Sequence, residues 1–209
     1  MNIDQVKKLY YTNGLSAKEV GNRLVKTVWQ IIKFMKKHGL KRRLISETQR
    51  LQFNRKPLSY NRRRNLAWNE TELHIAGVML YWAEGSKLGK YVVDFANSDK
   101  EMAIIFLSML RKIYSVDEKK LRIFLYCYAN QKPDYLIQYW SKLLNVPKTQ
   151  FSKPYIRLDF DRRKITRMRF GLVHIRYADM RLLKEIKQDI AILSKKLRWD
   201  GGVDKHTSL

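Results

Sequence analysis

The most constraining feature of the sequence is the nearly uninterrupted apolar run Ile75–Ala83, which is followed by Glu84-Gly85-Ser86. A helix that is apolar on every side is predicted to be buried, because its exposure would leave a large apolar area in water. Ala76 and Ala83 lie seven residues apart on one face of this helix and would let a second helix approach closely. Glu84 would end the helix beside the negative end of its dipole, which favours a cation near this carboxylate.

The order of the predicted elements downstream indicates an α+β fold. Strand patterns alternate with helical spacing, and the alternation is clearest in Leu121–Tyr128, where Leu, Ile, Leu and Cys occupy one face and Arg, Phe, Tyr and Tyr the other. We therefore expect a mostly antiparallel sheet with one face in the core and the other free to meet a ligand. The predicted helices are Thr71–Glu84, Asp99–Tyr114, Asp134–Asn145 and Met180–Leu197, and the predicted strands are Tyr91–Ala96, Leu121–Tyr128, Tyr155–Phe160 and Thr166–Tyr177.

Three short helical patterns occupy residues 3–38. The first ends at Asn13-Gly14, and each of the other two begins with a capping box, Ser16 with Glu19 and Thr27 with Gln30. Two short helices joined by about three residues must cross steeply, which is the helix-turn-helix geometry. The third helix would contact DNA through its exposed side, which carries Lys26, Trp29, Gln30 and Lys33.

The charge of the chain favours a polyanionic partner. The 209 residues carry a net charge of +24, and residues 1–64 hold 17 Lys and Arg against 3 Asp and Glu, a net charge of +14. A field of this strength attracts nucleic acid, so double-stranded DNA is the predicted partner and the N-terminal third its electrostatic anchor. A basic membrane-surface protein would need a lipid anchor or an uncommitted amphipathic helix, and the sequence shows neither.

Cellular location is predicted from three further features. Cys127 is the only cysteine, which excludes an internal disulfide framework and a cysteine-based zinc cluster. The longest apolar run is too short to span a bilayer, and the first residues lack the pattern of a signal peptide. We expect a cytoplasmic protein without a membrane partner, associated with the nucleoid in a bacterium.

Two further groups of cations are candidates for DNA contact. The stretch Lys41–Asn65 is basic and has few regularly spaced apolar residues, so it is predicted to be an extended linker that follows phosphates or enters the minor groove. The alternative is an ordinary solvated linker. For the strand cations, the alternative is solvated strand edges that discourage aggregation. The candidates are Arg42, Arg43, Arg62, Arg63 and Arg64 in and beside the linker, and Arg122, Arg157, Arg162, Arg163, Lys164, Arg167 and Arg169 in the strands.

Two segments resemble known families. The stretch from Gly14 through Met35 to Leu40 resembles the resolvase and transposase type of helix-turn-helix, except that Val25-Lys26 stands where that family prefers Gly followed by an apolar residue. The segment Leu80–Ser86 resembles the LAGLIDADG motif of homing endonucleases, and Asn97-Ser98-Asp99 also looks like members of that group. This second resemblance spans about residues 73–195. Two departures are Met79 in place of the family's Gly and an additional helix over residues 134–145.

The LAGLIDADG resemblance implies a fold, a partner and a chemistry. It implies a homodimer through the Ile75–Glu84 helix, with Glu84 of each chain as the catalytic, metal-holding acid and Mg²⁺ between the scissile phosphates. The expected domains are a helix-turn-helix module (1–42), a basic linker (43–70), a LAGLIDADG-like mixed domain of α-helices and antiparallel strands (71–199) and a tail (200–209). The expected function is site-specific DNA cleavage.

Three alternatives stay open at this stage. The protein could be a non-catalytic transcriptional regulator built on the same fold, in which case Glu84 has no chemical role. It could instead be an RNA-binding protein or splicing cofactor. Glu84 itself could be an ordinary exposed glutamate at a helix end. Fold analogy alone does not decide among these functions.

Overall fold

The computed structural model describes residues 1–158 and 168–198. The chain divides into two compact units, the N-terminal unit Met1–Leu58 and the C-terminal unit Ser59–Leu209. The helices of the N-terminal unit are α1 (Ile3–Lys7, continued by a π-helical turn over Lys8–Thr12), α2 (Ala17–Leu24), α3 (Val28–Lys37) and α4 (Ile45–Arg55). The C-terminal unit contains α5 (Trp68–Glu84), β1 (Val93–Asn97), α6 (Lys100–Lys112), β2 (Leu121–Tyr128), α7 (Pro133–Leu144), β3 (Tyr155–Arg157), β4 (Leu172–Tyr177) and α8 (Met180–Leu197).

Both predicted capping boxes of the N-terminal unit are present. The Ser16 hydroxyl accepts from the Glu19 N–H while the Ser16 N–H donates to the Glu19 carboxylate, and Thr27 and Gln30 repeat the arrangement. These reciprocal bonds begin α2 and α3 at the predicted residues. The small core beneath them is formed by the apolar faces of the first three helices: Val6, Tyr10, Val20, Ile31 and Met35.

The turn between α2 and α3 depends on an unusual backbone conformation. Val25 adopts the left-handed conformation with φ of 53°, at the position where the sequence departs from the glycine preferred by resolvase-type modules. A β-branched residue is strained in this region, because its Cβ approaches the neighbouring carbonyl oxygen. The short turn forms nonetheless, and a Cβ at Gly21 would lie 2.6 Å from the Lys26 carbonyl oxygen, so only glycine fits beneath it.

The prediction of an extended linker over residues 43–70 is wrong at residues 45–55 and 68–70, which are helical. Residues 45–55 form α4, which is joined to α2 by bonds from Gln52 and Arg55 to the Glu19 carboxylate at 3.3 and 3.0 Å. In the C-terminal unit, the Asn61 and Arg63 N–H groups donate to carbonyls just beyond α6 at 2.9 and 2.8 Å. The partners lie far away in the sequence, so local periodicity gives no sign of this packing.

An α+β fold with a mixed sheet is confirmed in the C-terminal unit. The strand order is β1-β4-β2-β3, in which β4 pairs antiparallel with β1 and β2 while β3 joins β2 in parallel. Helices cover one face of the sheet: Phe95 stacks on Phe106 of α6 at 4.3 Å, and Trp140 of α7 and Ile186 of α8 are buried in the same core. The opposite face carries the strand residues that alternate with these core residues along each strand.

Helix α5 is only partly buried, so the prediction of an all-round buried helix is wrong for this chain by itself. Gly77 and Val78 face the core, and a Cβ at Gly77 would come within 2.6 Å of the Met109 side chain, which shows how closely α5 approaches α6. Tyr81 is buried too, and burial raises the pKa of its hydroxyl to about 12. The opposite face exposes large apolar side chains: Trp68, Ile75, Met79 and Trp82.

Among the described residues, no helix is long and apolar enough to span a membrane.

Candidate nucleic-acid interface

The outer side of α3 presents a flat aromatic group beside cations. Trp29 is 64% exposed, and the Lys33 ammonium lies 4.9 Å from the centre of its ring. Lys26 is exposed in the turn before the helix. Gln30 is also exposed, although its side-chain oxygen accepts the Thr27 N–H at 2.9 Å and only its amide nitrogen is left to donate outward. The four residues predicted from the sequence therefore lie together on one surface.

The two arginines that follow α3 have different environments. The Arg43 guanidinium lies 4.2 Å above the Tyr10 ring and donates to the Leu15 carbonyl, while its backbone N–H donates to the Tyr10 hydroxyl at 3.0 Å. These contacts tie the segment after α3 to α1, so Arg43 has a structural role. Arg42 is exposed and stays a candidate for a phosphate contact.

The Arg62–Arg64 run is occupied by acids of its own unit. Arg62 bridges Asp189 at 2.8 Å and Glu185 at 3.2 Å, Arg64 contacts Glu185 at 2.8 Å, and Arg63 pairs with Glu70. All of these acids belong to α5 or α8, so the run fastens the segment before α5 to the helices. The sequence suggested a DNA contact for these arginines because it could not reveal the distant acids.

The partners of Arg62 form a buried polar cluster. Asp189 also accepts from the Tyr114 hydroxyl at 2.6 Å and contacts the His74 ring at 3.1 Å. Burial alone would raise the pKa of the Asp189 carboxyl, but bonds from His74 and Tyr114 and the Arg62 charge hold it below its usual value. Burial and the bond to Asp189 raise the pKa of Tyr114. With every member engaged within the unit, this cluster stabilises the fold.

The uncovered side of the sheet, here called the open face, has a polar centre that sequence analysis missed. Asp94 on β1 accepts a hydrogen bond from the His174 ring at 2.8 Å and forms an ion pair with the Arg176 guanidinium at 3.2 Å, both on β4. Arg176 in turn lies 4.7 Å above the Phe124 ring on β2. The sequence does show that apolar residues alternate with polar residues along β4: Val173, Ile175 and Tyr177 are the apolar ones. That Asp94 lies beside the polar residues follows only from the register of β1 on β4.

The predicted strand cations are dispersed around this face. Arg122 is exposed but donates to the Lys119 and Leu121 carbonyls at 2.7 Å, which holds it at the strand end. Arg157 is exposed on β3, and Arg169 is exposed with its guanidinium 5.5 Å from the Phe170 ring. The other four predicted contacts, Arg162, Arg163, Lys164 and Arg167, lie outside the described residues.

Glu84 lies where α5 meets the sheet. Gly85 forms an antiparallel bridge with Phe95, and the Ser86 N–H donates to the Asp94 carbonyl at 2.9 Å. This register places Glu84 opposite Ala96, which lies on the open face beside His174. The Glu84 side chain is exposed, and Lys87 donates to the Trp82 carbonyl at the helix end. Glu84 is thus at the border between the exposed face of α5 and the open face.

Within residues 1–158 and 168–198, one chain does not assemble a metal site from protein ligands. Among the described residues, no group of three or more His, Cys, Asp or Glu side chains is close enough to hold a metal ion. The nearest sheet carboxylate by register, Asp94, is engaged with His174 and Arg176. Glu84 is therefore the acid of this border that one chain could offer to a cation, and further ligands would come from a second chain, phosphate oxygens or water.

Comparisons with known proteins give no further guidance. No protein-family model matches the sequence, no curated protein matches it, and no solved structure matches its fold. The function must therefore be argued from the residues themselves.

Proposed function

We propose that the protein binds double-stranded DNA in the cytoplasm and cleaves it as a homodimer, by Mg²⁺-dependent phosphodiester hydrolysis of the LAGLIDADG type. The observation that carries this proposal is the position of Glu84. The carboxylate stands at the border of two exposed surfaces, the apolar face of α5 and the open face of the sheet. The first surface suits a second copy of the chain, and the second suits a phosphate backbone.

DNA binding is supported first by α3. Its exposed side combines the Lys26 and Lys33 cations with Trp29 and the outward Gln30 amide. Lysines supply the salt-dependent attraction to phosphates, and an amide or an aromatic ring can contact base edges in the major groove. This side of α3 is exposed, as a recognition helix requires.

The homodimer is supported by the outer face of α5. Trp68, Ile75, Met79 and Trp82 expose apolar surface there, and Ala76 and Ala83 lie among them. Packing against α5 of a second copy would remove this area from water, and the small alanines leave room for close approach. Met79, where the family has glycine, sets the two helices farther apart at that level. A two-fold arrangement would bring one Glu84 from each chain to the dimer axis.

Mg²⁺ in this arrangement would neutralise the charge that develops on the attacking and leaving oxygens of the phosphodiester. The chain's own contribution is Glu84, whose exposed carboxylate is a hard oxygen ligand of the kind Mg²⁺ prefers. Lys87 donates to the Trp82 carbonyl, two residues before Glu84 at the end of α5. Arg176 and Arg122 on the open face would lie along the phosphates on either side.

The proposal is tested by selection followed by cleavage. Purified protein is used to enrich binding sites from a random-sequence duplex library, and the enriched site is incubated with the protein and Mg²⁺. We expect site-specific strand cleavage that is abolished by Glu84→Gln and by chelation, with duplex affinity retained by the variant. The control is Glu101→Gln, an exposed glutamate of α6, which should cleave normally. Cleavage that survives Glu84→Gln would contradict the proposed role.

A second candidate is a DNA-binding regulator without catalysis. It is favoured by the absence, in the described part of the chain, of any set of three potential metal ligands. In that case the enriched duplex is bound with the same affinity by the native protein and by Glu84→Gln, and neither protein cuts it under any divalent cation.

A further inference from the structure

Three rings form a continuous aromatic strip across the open face. Tyr126 on β2 lies 4.6 Å from the His174 ring on β4 and 5.0 Å from the Tyr155 ring on β3, measured between ring centres. The strand register places all three on the same face, since Tyr126 pairs with Tyr155 and Phe124 pairs with His174. This aromatic strip (His174, Tyr126 and Tyr155) runs across the strands.

The strip is accessible and its surroundings are cationic. Tyr155 is 57% exposed and Tyr126 is 37% exposed, high values for tyrosines within a sheet. Arg122 and Arg157 are exposed on the strands that carry the strip, whereas the Arg176 charge is paired with Asp94. The acid of this face, Asp94, is engaged by His174 and Arg176, so its charge is balanced within the unit. A ligand that is both aromatic and anionic complements this surface.

We propose that the open face binds unpaired nucleobases of a single strand, which stack on Tyr126 and Tyr155 while the neighbouring arginines attract the phosphates. Bases in an intact duplex are stacked on one another and offer only their edges, so they cannot lie against a tyrosine ring on a flat sheet. Unpaired bases have free faces, and stacking on exposed aromatic rings is how sheet proteins without base-specific contacts hold single strands.

This inference builds on the proposed function and names the state of its substrate. The open face would take bases from a segment of the DNA that is locally opened or distorted, in which the bases are unstacked. The two surfaces therefore divide the work: α3 binds paired DNA, and the aromatic strip binds the unpaired bases. Stacking on Tyr126 and Tyr155 does not involve the Glu84 carboxylate, so strand binding does not require cleavage.

The test compares two oligonucleotides of equal charge. Binding to the full chain is measured by fluorescence anisotropy, at one fixed salt concentration, for a labelled 12-nucleotide thymidine strand and for a strand of the same length with abasic sites in place of the bases. We expect the abasic strand to bind at least about tenfold more weakly, because the phosphates are unchanged and only stacking is lost. Equal affinity for the two strands would overturn the proposal.

The variants assign the effect to the strip. Tyr126→Leu combined with Tyr155→Leu should lower affinity for the thymidine strand by roughly tenfold or more and bring it close to that of the abasic strand. The matched control is Tyr135→Leu on α7, which is 60% exposed but lies on a helix away from the sheet, and it should bind as the native protein does. An unchanged far-ultraviolet circular dichroism spectrum and thermal midpoint exclude misfolding.

Two further arms separate this proposal from the proposed function. Duplex affinity, which tests the α3 surface, should be little changed in the double tyrosine variant. The prediction for single strands and the prediction for duplex DNA can therefore fail independently. A uridine RNA strand tests whether binding depends on the sugar. Tyrosine-dependent binding of this RNA would support base stacking, just as tyrosine-dependent binding of the DNA strand would. Loss of duplex and single-strand affinity by the same factor would show an effect that does not depend on unpaired bases and would overturn the assignment to stacking.

Discussion

Two basic regions that look alike in the sequence differ in the structure, because only one of them is paired with acids of its own unit. Around α3, Lys26 and Lys33 are exposed, and in the described residues neither forms an ion pair with an acid. The Arg62–Arg64 run carries more charge over fewer residues, yet each of its arginines contacts an acid of α5 or α8. The first region can attract a polyanion. The second is largely neutralised by its own fold.

The difference shows what a run of cations can and cannot indicate. Local charge counts everything within a few residues, whereas the potential at a surface includes acids brought close by the fold. Glu185 and Asp189 lie more than 100 residues after the run in the sequence but only about 3 Å from its guanidinium groups. A basic stretch is therefore a candidate for DNA contact only after its acidic neighbours are known.

Removal of Arg62 gives the largest expected effect and would break the comparison most directly. Arg62→Met leaves Asp189 buried without its ion partner, so we expect the C-terminal unit to lose roughly 3–5 kcal/mol of stability, measured by urea unfolding. The matched control is Arg64→Met. The Arg64 side chain also pairs with Glu185 but is 71% exposed, whereas the Arg62 side chain is 16% exposed. The control should change stability by about 1 kcal/mol or less. A folded, fully stable Arg62→Met protein with weakened DNA binding would reverse the assignment.

Relief of the strained turn gives a smaller effect, of opposite sign, in the N-terminal unit. Val25→Gly removes the Cβ that opposes the left-handed conformation, and we expect a gain of roughly 0.5–1 kcal/mol after the added flexibility of the unfolded chain is counted. Thermal unfolding of the full chain measures it. Val28→Gly, in the first turn of α3, is the control and should destabilise, since its backbone is helical. Destabilisation by Val25→Gly would contradict the strain argument.

The effect of acid pH on the N-terminal unit is expected to be the smallest, because the Glu19 side chain is 38% exposed and water screens its charge. Partial burial opposes ionisation of Glu19, but hydrogen bonds from Ser16, Gln52 and Arg55 lower its pKa from 4.5 to about 2. A carboxyl whose pKa is lowered on folding stabilises the protein at pH values above the pKa that the group has in the unfolded chain. This contribution is lost as the pH falls from 4.5 towards 2. Glu19→Gln should flatten this part of the stability profile, recorded by circular dichroism.

The matched control for that measurement is Glu47→Gln on α4, another glutamate of the same unit, for which we expect the native profile. An identical pH dependence in the native protein and in Glu19→Gln would contradict the role given to Glu19. A flattened profile in Glu19→Gln would show that the cap at Ser16 contributes to the stability of the N-terminal unit, independently of the lysines on α3.

Features set by near neighbours in the chain were predictable. The capping boxes at Ser16 and Thr27 involve residues three apart, and the alternation of Leu121–Tyr128 follows from the strand period, so both were predicted correctly. Helix α4 was missed because its stability depends on Glu19, more than 30 residues earlier. The open-face cluster was missed for the same reason: only the pairing of β4 with β1 and β2 brings Asp94, His174 and Tyr126 together.

The exposed face of α5 illustrates a different limit. Composition alone predicts that an apolar helix is buried, and within one chain half of it is not. A sequence pattern specifies that apolar surface should leave water, but it does not say whether the covering partner belongs to the same chain. The same pattern fits burial in the core and burial in a homodimer, which is why the proposed dimer needs its own test.

The most direct test of the account is the salt dependence of duplex affinity. The logarithm of the association constant is measured against the logarithm of salt concentration for the native protein, for Lys26→Ala with Lys33→Ala, and for Arg64→Ala. The account predicts tight duplex binding at low salt, a slope reduced by about 2 in the double lysine variant and a native slope in Arg64→Ala. Failure to bind duplex DNA in dilute buffer, or a slope that falls in Arg64→Ala but not in the lysine variant, would contradict it.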